Sequence, residues 1–254
     1  MILVDTHCHL ETFADIDSVL NQAKTCSVEH VVAVSQDPSS MRSVLDIGIE
    51  RPNSVWVGLG LHPAWVVQNE NSLDLALDWM ERHSSRADVI GEIGLDFKYA
   101  DDRRQQALQR RILEVQLDLA GKIRKPINLH SRRSQRQTLQ LAIDFKQRTG
   151  LNAQMHWFTE SKKLVRICND EGIFVSVGPT VLNDETVQQV ALEIDRSLLL
   201  LETDSPVPID GIENFPGCVR QVAQTMAKLS GSELEDVAAQ TTGNFFRFLG
   251  VDQP

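Results

Sequence analysis

Eight short apolar runs recur along this chain, each followed by an amphipathic stretch, and that alternation restricts its fold more than any other feature. The runs are Ile2–Val4, His30–Ser35, Ser54–Gly58, Asp88–Gly91, Pro126–Leu129, Ala153–Met155, Ile173–Val177 and Leu198–Leu201. They are nearly continuous in Val, Ile and Leu, the pattern of strands covered on both faces in a parallel sheet. The stretches between them carry helical spacing. Leu108, Ile112, Val115 and Leu119 repeat across 103–120, with Gly121 placed to cap the end. Val219, Val222, Met226 and Leu229 repeat the pattern, and Ser232-Glu233-Leu234-Glu235 reads as a capping box opening a last helix. Eight strand–helix units in 254 residues predict a (β/α)8 TIM barrel, one domain over 1–254, with the seventh unit the weakest. An open doubly wound sheet is the other architecture to weigh. Its glycine fingerprint is missing, because Gly58-Leu59-Gly60 runs into His62-Pro63.

Polar residues fall at one place in each unit. Asp5-Thr6-His7-Cys8-His9 follows the first run and His62 the third; Glu92 ends the fourth, His130 the fifth, His156 the sixth, and Asp204 follows the eighth. All sit at the C-terminal ends of strands, where barrel enzymes build their sites. His7 and His9 are two apart, so on extended chain both imidazoles share a face and Cys8 points away as a bystander. Glu92 lies within Val89–Leu95, where a carboxylate needs a cation to be buried. With two oxygens it is a candidate bridge between two metals. Asp204 closes the Leu198–Leu201 run and is placed to ligate a metal, accept a water proton, or both. Glu202 is given a minor, structural part. Four histidines and two carboxylates exceed what one zinc takes and suit two divalent ions. Nitrogen and oxygen donors leave Zn, Mg, Mn, Co and Ni open.

Arg132 and Arg133 follow His130 and are placed to meet an anionic substrate, as is His62. Arg103, Arg104 and Arg136 read as solvated helix faces, and His83 as surface. The formal charge of −10 argues against broad electrostatic binding of nucleic acid, and it predicts weak non-specific affinity and a shallow salt dependence. It does not disfavour a metal enzyme, since bound cations create local positive fields. Cys8, Cys26, Cys168 and Cys218 form no C-x-x-C pair and read as free thiols. The start, Met1-Ile2-Leu3-Val4-Asp5, lacks a basic, apolar leader, and no run is long enough for a membrane span, so the expectation is a cytoplasmic protein, a monomer by preference.

Together these residues resemble the TatD family of metal-dependent deoxyribonucleases, nearly end to end. The resemblance rests on D-T-H-C-H (5–9), G-L-H-P (60–63), G-E-I-G-L-D-F (91–97), H-S-R-R (130–133), H-W-F (156–158), E-T-D-S-P (202–206), Asn214 with Pro216, and Asn244-Phe245-Phe246. It implies metal ligation by His7, His9, Glu92, His130, His156 and Asp204, the six chosen above. It also implies a substrate phosphate at His62 and hydrolysis of DNA, often 3′ to 5′ on single-stranded or accessible ends. The sequence departs from the family at Trp157 and Glu160, where a small residue and Ser-Gly around the Phe are usual, and Val207–Asp210 lacks a basic residue. The rival reading is an amidohydrolase or phosphotriesterase-like lactonase, which often bridges its metals with a carboxylated lysine. Here Glu92 holds the strand-four position and Lys125 comes too early. A catalytically silent binding barrel is a further alternative, disfavoured by the full ligand set.

Overall fold

The structure, a computed structural model, describes residues 1–159, 161–209, 211 and 213–252. Eight parallel strands run in sequence order: β1 (Leu3–Cys8), β2 (Val28–Val34), β3 (Val55–Leu59), β4 (Val89–Asp96), β5 (Ile127–Arg132), β6 (Ala153–Met155), β7 (Phe174–Val177) and β8 (Leu199–Leu201). The ring closes through a parallel bridge between Cys8 and Ser205 and a bond from Thr6 Oγ1 to the Leu201 carbonyl. Helices α1 (Ile16–Thr25), α2 (Pro38–Glu50), α3 (Pro63–Gln68), α4 (Leu73–His83), α5 (Arg103–Ile123), α6 (Gln135–Thr149), α7 (Lys162–Glu171), α8 (Glu185–Ala191), α9 (Val219–Ser230) and α10 (Leu234–Leu249) cover the outside. This is a (β/α)8 barrel. The main core lies between strands and helices, where Leu, Ile and Val are buried. Each such side chain contributes about 1.5–3 kcal/mol. The weak seventh unit is the four-residue β7 followed by the seven-residue α8. No helix among the described residues is long and apolar enough to cross a membrane.

All eight runs are strands, but several run further than expected. β1 continues through His7, β4 continues four residues past Glu92, and β5 passes His130. Those three side chains are therefore held by strands rather than following them. Apolar continuity ends at the first polar residue, whereas backbone pairing continues beneath the site. Three helical details also differ. Val115 is 43% exposed, and the buried side is carried instead by Leu108, Ile112, Leu113, Leu117 and Leu119. α5 continues through Gly121, and Arg124 in a left-handed conformation ends it. The capping box is not made, because α10 starts after Glu233 with no side-chain cap.

Candidate metal centre

The site grows from alternation along two strands. On β4, Glu92, Gly94 and Asp96 fall at period two and share a face. On β5, Asn128 and His130 do the same. Between them the register slips: Ile90 pairs with Ile127 but Ile93 with Leu129, so one extra residue is fitted at Gly91–Glu92. Bulges of this kind re-aim a side chain beside a site. Gly94 lets the two strands approach, because a Cβ there would overlap the His130 carbonyl oxygen, and its φ is +155°.

Glu92 is at the centre. Its Oε1 lies 2.8 Å from His130 Nδ1, 3.0 Å from His156 Nε2 and 3.6 Å from His62 Nε2. Its Oε2 faces the other way, 3.8 Å from His7 Nε2 and 3.6 Å from His9 Nε2. Asp204 Oδ1 meets the same pair at 3.4 and 3.2 Å. Burial pushes the Glu92 carboxyl up, but His62, the bonds from His130 and His156, and His7 outweigh it and hold it well below the carboxylate range. Asp204 is likewise lowered against its burial by His7 and His9. In return the carboxylates overcome burial to raise His9 to about 9, and His130 and His156 upward.

Three of the four inward histidines are held from behind; His9 Nδ1 is buried with no hydrogen-bond partner among the described residues. His7 Nδ1–H donates to Asn128 Oδ1 at 3.0 Å, while the same amide donates to the Thr6 carbonyl, so its oxygen must face His7. His130 Nε2–H donates to Asp96 Oδ2 at 3.0 Å, turning Nδ1 inward. His156 Nδ1 faces Glu202 Oε1 at 3.5 Å, and Glu202 Oε2 accepts from Ser176 Oγ at 2.6 Å. Histidines oriented in this way are the usual support of metal ligands. Two buried atoms, His7 Nε2 and Glu92 Oε2, point into the cluster with no hydrogen-bond partner among the described residues. Leaving such atoms bare is costly unless a cation takes them. The donor set therefore fits divalent metal.

Comparison with known proteins decides the lineage. The family model for TatD related DNase matches residues 4–250. The chain belongs to the TatD-related DNase family. It is 30% identical over 256 residues to human deoxyribonuclease TATDN3, covering 95% of this chain and 92% of that protein. It is 32% identical over 266 residues to the uncharacterized metal-dependent hydrolase YcfH of Escherichia coli K12, covering 99% and 97%. The crystal structure of the TatD homologue YJJV from E. coli superposes with a TM-score of 0.86 over 98% of both chains at 24% identity, a shared fold. The chain is thus a metal-dependent hydrolase of the TatD family.

In this TatD barrel the six residues expected as ligands meet in one cluster. His62 borders it. Its Nδ1 accepts from the Ala64 amide as the N-cap of α3, and burial pushes it down to about 3. It is neutral, with Nε2–H facing Glu92. Cys8 points outward, its Sγ on the Val32 carbonyl. Arg132 is exposed on the rim, and Arg104 pairs with Glu70. His83, expected on the surface, is half-buried and stacks on Trp79 at 4.0 Å. Trp157 stands directly after His156, its Nε1–H donating to Thr180 Oγ1, and Glu160 and Asp210 lie outside the described residues. Sequence reasoning missed Asp96 and Asn128 as supports. Period two from Glu92 and His130 was the available signal. It also missed Asp5, whose carboxylate accepts from Thr203 N and Oγ1 and anchors the turn carrying Asp204.

Proposed function

We propose that this TatD hydrolase cleaves phosphodiester bonds of DNA with two divalent cations, working 3′ to 5′ on single-stranded or accessible ends. One observation carries the two-metal reading: the two oxygens of Glu92 face two separate sets of imidazoles. His7, His9, Asp204 and Glu92 Oε2 would hold one cation; Glu92 Oε1, His130 and His156 would hold the other. The substrate class draws support from the human relative named a deoxyribonuclease. Bound there, the cations would acidify a water and neutralise phosphate charge. The chain's own groups do the rest. Asp204, 15% exposed, is the open carboxylate of the cluster and takes the water's proton. His62, neutral with Nε2–H turned inward, donates to a phosphate oxygen where charge develops. Arg132, two residues past His130, holds the phosphate from the rim.

Lys125 precedes β5 at the opposite mouth of the barrel, so it does not supply the carboxylated-lysine bridge of the lactonase rival. The test is to strip the protein with chelator, restore Zn, Mg, Mn, Co or Ni singly, and add 5′-labelled single-stranded DNA beside lactone and amide substrates. Stepwise shortening from the 3′ end, lost in Glu92→Ala, is expected. DNA that stays intact under every metal, with Glu92→Ala matching wild type, overturns the reading.

A further inference from the structure

We propose that the rim over β4 and β5 is a track for the sugar–phosphate backbone of a single strand, with Tyr99 stacking an unpaired base. The proposal rests on the nuclease reading and adds where the strand lies outside the site. The chain is acid-rich, with 25 Lys and Arg against 35 Asp and Glu. Many of its arginines are spoken for: Arg51, Arg104, Arg110, Arg148 and Arg166 all pair with carboxylates. Lys98, Arg132, Arg133 and Arg136 are exposed and have no acidic partner within 4 Å among the described residues. They are also neighbours. Arg132 pairs in register with Asp96, and its carbonyl accepts from the Phe97 amide at 2.8 Å, which sets Lys98 and Tyr99 beside Arg132 and Arg133. Arg133 turns the chain with φ +56°, and Arg136 stands in the first turn of α6. Arg132 is two residues from His130, about 6.7 Å along the strand.

Tyr99 is the chain's single tyrosine and is 43% exposed, with Lys98 Nζ 5.8 Å from its ring centre. An exposed aromatic among unpaired cations is what a single strand uses: rings stack bases and cations follow the backbone. Asp101 and Asp102 follow Tyr99 on the same loop, so the track is defined by the cations and the ring themselves and not by an acid-free rim. Such a short track is expected to keep the salt dependence shallow, in line with the expectation from the −10 charge.

The test compares a single-stranded 12-mer with bis(p-nitrophenyl) phosphate, using wild type, the triple variant Lys98→Ala/Arg133→Ala/Arg136→Ala, Tyr99→Ala and Tyr99→Phe, all loaded with the same metal. For the triple variant, kcat/KM on the 12-mer is expected to fall at least 10-fold relative to that on the small diester. The slope of log KM against log salt is expected to flatten by about 2, from three lost contacts. Tyr99→Ala is expected to lose about 5- to 150-fold on the 12-mer relative to the diester, with Tyr99→Phe retaining most of it. A triple-variant ratio within twofold of wild type, or an equal fall on both substrates, overturns the track and leaves the nuclease reading standing. Wild type that cuts no DNA under any metal overturns both.

Discussion

Replacing Asp96 with asparagine is expected to weaken one of the two proposed cations selectively. Asp96 is buried; its Oδ2 accepts from His130 Nε2–H at 3.0 Å and its Oδ1 accepts from the Lys98 amide at 2.8 Å. An amide of the same shape has one oxygen and one NH2 for these two donors. If the oxygen serves the Lys98 amide, the NH2 meets His130 Nε2, and the imidazole must shift its proton to Nδ1. That proton then occupies the atom 2.8 Å from Glu92 Oε1, and the lone pair proposed to bind metal is gone. In the other orientation two N–H groups collide at Lys98. Support residues of this kind are worth 10- to 100-fold in metal affinity, about 1.4–2.7 kcal/mol. Calorimetric titration of chelator-stripped protein measures both binding steps. The His130/His156 step is expected to weaken by about 10- to 100-fold, while the His7/His9 step stays within threefold. Asn128→Leu, which removes the acceptor from His7 Nδ1–H, is expected to give the converse pattern. Asp96→Asn binding both cations within twofold of wild type, or losing both equally, refutes the assignment of separate supports.

Gly94→Ala, forced against the His130 carbonyl at φ +155°, is expected to cost at least about 4 kcal/mol in urea unfolding or to prevent folding; a loss under 1 kcal/mol would contradict the close approach. Metal binding is expected to release protons at pH 7, because His9 sits at about 9 in the metal-free site and must be neutral to coordinate. The raised His9 supports the metal-free fold below about 6.5, and that support fades as pH rises through about 9. Affinity therefore climbs over the same window, which calorimetry in buffers of different ionisation enthalpy reads directly. A thiol reagent is expected to modify half-buried Cys26 and Cys218 in the native protein and to reach buried Cys8 and Cys168 only in denaturant. Burial pushes the Cys168 thiol up to about 12, which keeps it unionised.

The barrel was legible because its signal repeats: eight buried strands leave eight apolar runs, and β6, only Ala153–Met155, could be placed by its neighbours' spacing. The six clustered residues were legible because each breaks an apolar run with a charge or imidazole that burial would otherwise penalise. What escaped was support. Asp96 looks like the start of a loop unless β4 is known to continue through it, and Asn128 is a polar residue inside a run read as apolar. Asp5 hid within the first motif, because its partner Thr203 is 198 residues away and no local pattern joins them. The capping box at Ser232 failed for a related reason: Ser232 Oγ accepts from Arg196, a distant partner in the turn before β8.

Closure at β1 and β8 has a consequence for timing. Asp204 N–H donates to the His7 carbonyl, His9 N–H donates to the Ser205 carbonyl, and Asp5 grips Thr203. The first histidines made by the ribosome are thus completed by the residues that follow the last strand. A nascent or truncated chain lacking residue 204 offers His7 and His9 with Glu92 but without Asp204, and with the ring still open. A complete set of the proposed ligands is in this way withheld until synthesis has passed β8.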